Sequence, residues 1–218
     1  MNSPAALSLS FLRFALKNDV LRFGRFTTKA GRETPYFFDA GLFNSGVQLE
    51  TLGRFYADAI REAKLDFNMI FGPAYKGIAL ATATATAMAR YHDRDCPIAF
   101  NRKEAKDHGE GGRIIGAPLQ GRVLVVDDVI SAGTSIQESA VWIGAAGASL
   151  AGVVIALDRQ EQGRDDAHSA VQQVEETLGI PVVALARLDD LIHLLEEDPK
   201  NGAYLQDIRS YRARYGAR

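Results

Sequence analysis

The spacing of apolar positions along the chain changes several times, and each change marks an element. Leu9, Leu12, Leu16 and Val20 recur near helical spacing, so the chain is predicted to open with an amphipathic helix. Arg13 and Lys17 interrupt that apolar run and no small-residue cleavage site follows, which argues against a secretory leader. From Phe23 to Gly41, apolar and polar residues alternate around a Lys-Ala-Gly-Arg turn, the pattern of a hairpin. "VQLETLGRFYADAIREAKL" then reads as a helix and "FNMIFG" as a short buried strand. A turn at Gly72–Lys76 leads into "GIALATATATAMARY". Its Ala-Thr alternation resembles a strand, but its length and lack of bulk favour a helix that can approach a sheet closely.

"PIAFNR" follows as a strand, then a charged, glycine-rich loop, then the strand "RVLVVDD" and the helix "SIQESAVWIGAAGA". "LAGVVIALDR" and "PVVALARL" are further strands with a helix between them, and two helices around Leu191 and Tyr204 close the chain. Ser135 and Glu138 have capping-box spacing, which places a helix start at Ser135. Continuously apolar strands alternating with helices predict an α/β fold, a mainly parallel sheet covered on both faces. No long linker or internal repeat divides the chain, so one domain with an N-terminal appendage is expected.

Composition narrows the function classes without choosing one. The 218 residues are 47% hydrophobic and 24% charged, ordinary for a globular domain. A net charge of -2 argues against a general polyanion binder. The lone cysteine, Cys96, has no partner for an internal disulfide and reads as a small buried hydrophobe, which points to a reducing, cytoplasmic setting. The longest uncharged central run, Gly77 to Ala89, is too short and too rich in Ala and Thr to span a bilayer.

The candidate chemistry lies in "VLVVDDVISAGTS", Val123 to Ser135. In open α/β sheets ligands sit beyond the carboxyl ends of the strands. Asp127 and Asp128 stand at such an end. The small residues Ser131, Ala132, Gly133, Thr134 and Ser135 expose backbone N–H groups just before a helix, an arrangement suited to a phosphate monoester. Carboxylates facing phosphate directly would repel it, so the acids point to hydroxyl groups or a magnesium shell nearby. A sugar phosphate satisfies both demands. Rival motifs fail. Gly72 to Gly77 has P-loop glycine spacing, but Ile78 stands where the lysine belongs. No dinucleotide fingerprint, spaced zinc ligands or Gly-x-Ser-x-Gly elbow occurs.

The whole stretch resembles the ribose-phosphate binding signature of the type I phosphoribosyltransferases, enzymes that use phosphoribosyl pyrophosphate (PRPP). Three further segments resemble the orotate branch of that family. They are "FTTKAGRETPYFFDAG" (Phe26–Gly41) as its substrate hood, "FGPAYKGI" (Phe71–Ile78) as its pyrophosphate loop, and "FNRKEAKDHGEGG" (Phe100–Gly112) as its mobile catalytic loop. The resemblance implies the type I phosphoribosyltransferase fold, with a helix and hood over about 1–45, a PRPP-binding core over 46–188 and terminal helices over 189–218. It implies transfer of the phosphoribosyl group of PRPP to orotate in pyrimidine (UMP) biosynthesis, with Mg2+ as cofactor. It also implies a cytoplasmic homodimer whose catalytic loop serves the neighbouring subunit, with no nucleic-acid or membrane partner.

Residue by residue, the resemblance puts Lys106, His108 and Glu110 in catalytic positions. It gives Lys29, Tyr75, Lys76, Arg102, Lys103, Lys106 and His108 to PRPP, together with the run Asp127, Asp128, Val129, Ile130 and Ser131 to Ser135. Orotate would meet Lys29, Phe37, Phe38, Ser131 and Arg159, and Mg2+ would be held mainly through PRPP, by way of water to Asp127 and Asp128. The chemistry agrees. Breaking the C1–pyrophosphate bond puts positive charge on the ribose and negative charge on the leaving group, which calls for surrounding cations. Gly109, Gly111 and Gly112 would give the charged loop the freedom of a lid. Ser131 stands where many relatives carry threonine, which keeps the hydroxyl and loses a methyl. His92, His168 and His193 have no such context and are expected at the surface or in packing. Two rivals use the same fold. Against a purine-salvage enzyme stand the Phe37–Phe38 hood and the Arg102–Gly112 loop. Against a PRPP-sensing regulator stand that same loop and the absence of a DNA-binding segment.

Overall fold

The computed structural model describes residues 4–28, 31–106, 112–131, 133–163, 167–198 and 202–217. In chain order the elements are α1 (Pro4–Lys17), β1 (Leu21–Thr27), β2 (Glu33–Phe38), α2 (Gly46–Glu62), β3 (Met69–Gly72), α3 (Lys76–His92), β4 (Ile98–Lys106) and β5 (Gly112–Gly116). Then come β6 (Arg122–Asp127), α4 (Thr134–Ala145), β7 (Ser149–Asp158), α5 (Ala170–Leu178), β8 (Val182–Arg187), α6 (Leu188–Glu197) and α7 (Leu205–Tyr215). A six-stranded sheet runs in the order β5-β4-β3-β6-β7-β8. All its neighbours are parallel except β4 and β5. β1 and β2 form a separate antiparallel hairpin.

Why β6 and β7 read as unbroken apolar runs is now plain. Successive strand residues face opposite sides, and both sides of this sheet are buried. Leu124, Val126, Val154 and Ala156 enter the core layer shared with α1, α2, α3, α6 and the hairpin. Val123, Val125, Val153 and Ile155 enter the opposite layer, with Ile136 and Ile143 of α4 and Val171 and Val174 of α5. The helix α3 keeps its threonines because they back-bond. The hydroxyls of Thr82, Thr84 and Thr86 donate to the carbonyls of Ile78, Leu80 and Thr82, at 2.7–2.9 Å.

Three expectations change. The first helix ends at Lys17, and Val20 lies beyond it, fully buried ahead of β1. Strand β4 does not stop at Arg102 but runs to Lys106 and pairs antiparallel with β5, a strand in place of the expected loop. The capping box at Ser135 is absent. Gly133, in the left-handed region at φ 71, caps α4, and Ser135 lies inside the helix.

Two loops meet where the strand order reverses. From β3 the chain crosses to β4 on one side, while β6 continues to β7 and β8 on the other. The carboxyl ends of β3 and β6 therefore flank a topological switch point, the crevice where α/β sheets bind ligands. The approach there is close. A Cβ on Gly72 would stand 2.0 Å from the Gly77 carbonyl oxygen, so only glycine lets the end of β3 touch the start of α3.

Candidate active site

Asp127 ends β6 and Asp128 follows it, each only 8% exposed. Both are held by short-range bonds. The buried Tyr56 hydroxyl of α2 donates to the Asp127 carbonyl at 2.8 Å. The Asp127 carboxylate accepts the Asp128 N–H at 2.9 Å and the Ser135 hydroxyl at 3.2 Å. Ser135 therefore serves the acid pair rather than a backbone N–H, because a carboxylate is the stronger acceptor. The Asp128 carboxylate accepts the Val129 N–H at 3.0 Å. Burial, and then the neighbouring Asp128 charge, push the Asp127 carboxyl up to about 6, against the opposing pull of its two hydrogen-bond donors.

The loop from Val129 to Gly133 is anchored by buried Ile130 and leaves Ser131 exposed. Its main chain precedes a 12-residue helix, so the amides and the helix dipole favour an anion here.

Across the switch point stands Lys76, the first residue of α3. Its ammonium donates to Asp128 Oδ2 at 2.8 Å and to Asp39 Oδ1 at 2.9 Å. Burial works against its charge, but the hydrogen bonds to Asp128 and Asp39 outweigh burial and raise its pKa. Asp39 moves the opposite way, its carboxyl lowered chiefly by the Lys76 hydrogen bond. Sequence reasoning missed Asp39, a single acid at the end of a strand. The loop before α3 is pinned from β4, where buried Asn101 accepts the Ala74 N–H at 2.8 Å. Tyr75 is exposed, with the Lys103 ammonium 4.9 Å from its ring centre, and Arg102, the preceding residue of β4, is half-buried. The structure thus brings Tyr75, Lys76 and Lys103 to the same end of the sheet as the acid pair.

The hairpin supplies the other wall. Phe37 stacks on Phe26 at 5.4 Å, under the Arg22 guanidinium, while Phe38 turns to the core against Phe11. Strand alternation separates the two rings onto opposite faces. Arg159, just after β7, reaches the hairpin. Its Nη2 donates to the Thr34 hydroxyl at 3.3 Å, and its guanidinium lies 4.5 Å from the ring centre of Tyr36. Glu161 Oε1 accepts from Nε at 2.6 Å and lies 2.6 Å from Nη2 in the ion pair. Thr34 and Glu161 were also missed. The Arg-x-Glu spacing was the available signal.

Lys29, His108, Glu110 and Ala132 lie outside the described residues, as does the Lys106 side chain; the Lys106 backbone closes β4 opposite Gly112. His92 packs beside Asp58 at 3.0 Å, and His168 and His193 are exposed near glutamates. Among the described residues, no group of three or more His, Cys, Asp or Glu side chains could hold a metal ion. Two carboxylates alone suit magnesium only as outer partners of an ion whose other ligands come from phosphates and water. No helix among these residues is long and apolar enough to cross a membrane.

Comparison with known proteins agrees with this geometry. Residues 46–184 match the phosphoribosyl transferase domain. The orotate phosphoribosyltransferase of Edwardsiella ictaluri is 58% identical over 94% of this chain and 96% of its own. That of Serratia proteamaculans is 56% identical over 97% and 99%. The crystal structure of the Francisella tularensis orotate phosphoribosyltransferase superposes with a TM-score of 0.85 at 41% identity, covering 95% of this chain and 99% of that one. With a buried acid pair at the switch point, and relatives of this closeness over nearly its whole length, the chain belongs to the orotate phosphoribosyltransferase family.

Proposed function

We propose that this protein transfers the 5-phosphoribosyl group of PRPP to orotate, releasing orotidine 5'-monophosphate and pyrophosphate in pyrimidine biosynthesis, and that it does so at the switch point. The observation that carries the placement is the buried Asp127–Asp128 pair, fixed by Tyr56, Ser135 and Lys76 directly ahead of the phosphate loop. The acids accept the ribose hydroxyls, and the amides from Ser131 to Ser135 take the 5'-phosphate. Lys76, Arg102 and Lys103 meet the pyrophosphate, where negative charge grows as the C1–O bond breaks, and Lys106 adds the cation most tied to that step. Lys76 reaches this role by exchanging a carboxylate partner for phosphate. The Asp127–Asp128 oxygens fit Mg2+ through water, and the ion when bound supplies charge neutralisation to the leaving group. Arg159 and the Phe37 face of the hood receive orotate, its carboxylate forked by the guanidinium.

The working form we propose is a cytoplasmic homodimer that shares its charged loops. Support comes from an apolar groove of about 360 Å³ between α2 and α3, lined by Leu49, Ala79, Ala83, Thr86 and Tyr91. Val47 stands exposed on the same α2 helix. Strand β4 adds to this support, because Lys106 lies six positions past Phe100, the residue opposite the end of β3. That is a reach of up to about 20 Å past the end of β3.

The direct test is consumption of orotate by purified protein with PRPP and magnesium, with uracil, adenine and hypoxanthine in parallel. Orotate-selective turnover is expected. Arg159→Ala should raise the KM for orotate by about tenfold or more, since a charge-assisted bond to the carboxylate is lost. Turnover with a purine instead would overturn the assignment of the hood.

The acid pair makes a pH prediction. The Asp127 carboxyl is raised to about 6 and must be ionised to accept a ribose hydroxyl, so PRPP binding should weaken as pH falls through that value. The ligand's own phosphates titrate in the same range, so Asp127→Asn supplies the reference. Titration calorimetry at pH 7.5 should show Asp127→Asn binding PRPP about tenfold more weakly than the parent, with the two converging near pH 5. A constant ratio between them across that range would remove Asp127 from ribose recognition.

A further inference from the structure

We infer that Glu161 is a positioning residue for orotate: it holds the Arg159 guanidinium by one edge so that the other edge faces the substrate carboxylate. The inference rests on the reading that Arg159 receives that carboxylate.

A guanidinium offers two edges able to fork a carboxylate, one formed by Nε and a terminal nitrogen, the other by both terminal nitrogens. Here the first edge is taken, since Nε donates to Oε1 of Glu161 at 2.6 Å and Nη2 lies in ion-pair contact with the same oxygen at 2.6 Å. Nη2 also donates to Thr34 at 3.3 Å, and the Tyr36 ring covers one face of the plane at 4.5 Å. A second carboxylate must therefore use the edge that includes Nη1. The arrangement also settles a charge problem. The Arg159 and Glu161 side chains are only 20% and 17% exposed, and a cation that deep is costly without a partner when no substrate is bound.

Glu161 is itself held in place by the end of the chain. It forms an antiparallel bridge with Gly216. On either side, Gln162 N–H donates to the Tyr215 carbonyl and Ala217 N–H to the Gln160 carbonyl, both at 2.8 Å. The Gln160 side chain binds Asp189 at the start of α6 in both directions, at 2.9 and 3.0 Å. Arg32, in the turn of the hairpin, donates to the Gln162 carbonyl at 2.9 Å. So many backbone ties around one acid make a fixed anchor rather than a solvated surface pair.

Glu161 could instead compete with orotate for Arg159, and the two roles predict opposite signs. Steady-state kinetics on Glu161→Ala, Glu161→Gln, Arg159→Ala and the Arg159→Ala/Glu161→Ala double variant decide between them. Glu161→Ala should raise the KM for orotate about tenfold while the KM for PRPP moves less than about twofold. Glu161→Gln should fall between parent and alanine variant, because the amide oxygen keeps the acceptor and loses the charge. It also carries the test if the alanine variant does not fold. In the Arg159→Ala background, removing Glu161 should cost nothing more. An unchanged or lowered KM for orotate in Glu161→Ala, or an equal cost with Arg159 already gone, overturns the positioning role. An Arg159→Ala enzyme with the parent KM for orotate overturns the underlying reading of Arg159 instead, and the role of Glu161 falls with it.

Discussion

Lys106→Ala is expected to lower kcat by about 10²–10³-fold, the size of effect seen when one preorganised charge partner is removed from a transition state. The KM for PRPP should change by less than about threefold, because PRPP in the ground state keeps its other partners. As the C1–O bond stretches, charge collects on the departing pyrophosphate, and a cation that tightens its contact at that moment lowers the barrier without strengthening ground-state binding. Lys76 is a poor candidate for that role, since Asp39 and Asp128 already fix it at 2.9 and 2.8 Å. Lys106 ends β4, in the segment that the resemblance gives to the catalytic loop. Rapid-quench measurement of the chemical step would check the prediction. A variant with parental kcat and a raised KM for PRPP would make Lys106 a binding residue only.

Gly72→Ala should produce the largest loss of stability, about 3 kcal/mol or more, and a fall in Tm of about 10 °C. The added Cβ would sit 2.0 Å from the Gly77 carbonyl oxygen, 2.5 Å from its carbon and 2.8 Å from the Ala81 Cβ. Two of those three atoms are backbone, so relief requires moving the start of α3 rather than turning a side chain. That start carries Lys76, so the surviving folded fraction should also bind PRPP less well. Gly144→Ala is the matched control. It lies in α4 with nothing within 4 Å of its new Cβ, and alanine there should be neutral or stabilising by up to about 1 kcal/mol. Equal midpoints for the two variants in thermal melts would show that the contact between β3 and α3 yields easily.

Much of this was legible in the sequence, for reasons visible in particular residues. β6 announced itself because both faces of it are buried, so Val123 to Val126 needed no polar interruption. The acid pair stood out because two carboxylates after such a run have no packing reason to be there. What stayed hidden depended on partners distant in the chain. Asp39 reads as an ordinary strand end until α3 brings Lys76 to it, 37 residues on. Thr34 and Arg159 meet across 125 residues. The extension of β4 was hidden because Arg102, Lys103 and Glu104 are charged and partly or fully exposed, which removes the apolar alternation that marks a strand. The Ser135–Glu138 pair matched a local rule, and a carboxylate from the preceding strand overrode it.

The ion pair between Lys76 and Asp128 spans 52 residues, and every element from α3 through β6 lies between its partners. In kinetic terms the site is a contact of high sequence separation, closed only after the chain has covered the loop-closure entropy of two crossovers. A folding intermediate with β3 and α3 formed but β6 undocked would lack the Asp128 partner of Lys76 and the docked loop that follows β6. Such a species could neither bind PRPP nor hydrolyse it unproductively. Competence to bind substrate therefore arrives with the completed sheet, and bound substrate in turn favours that state over every partly assembled one.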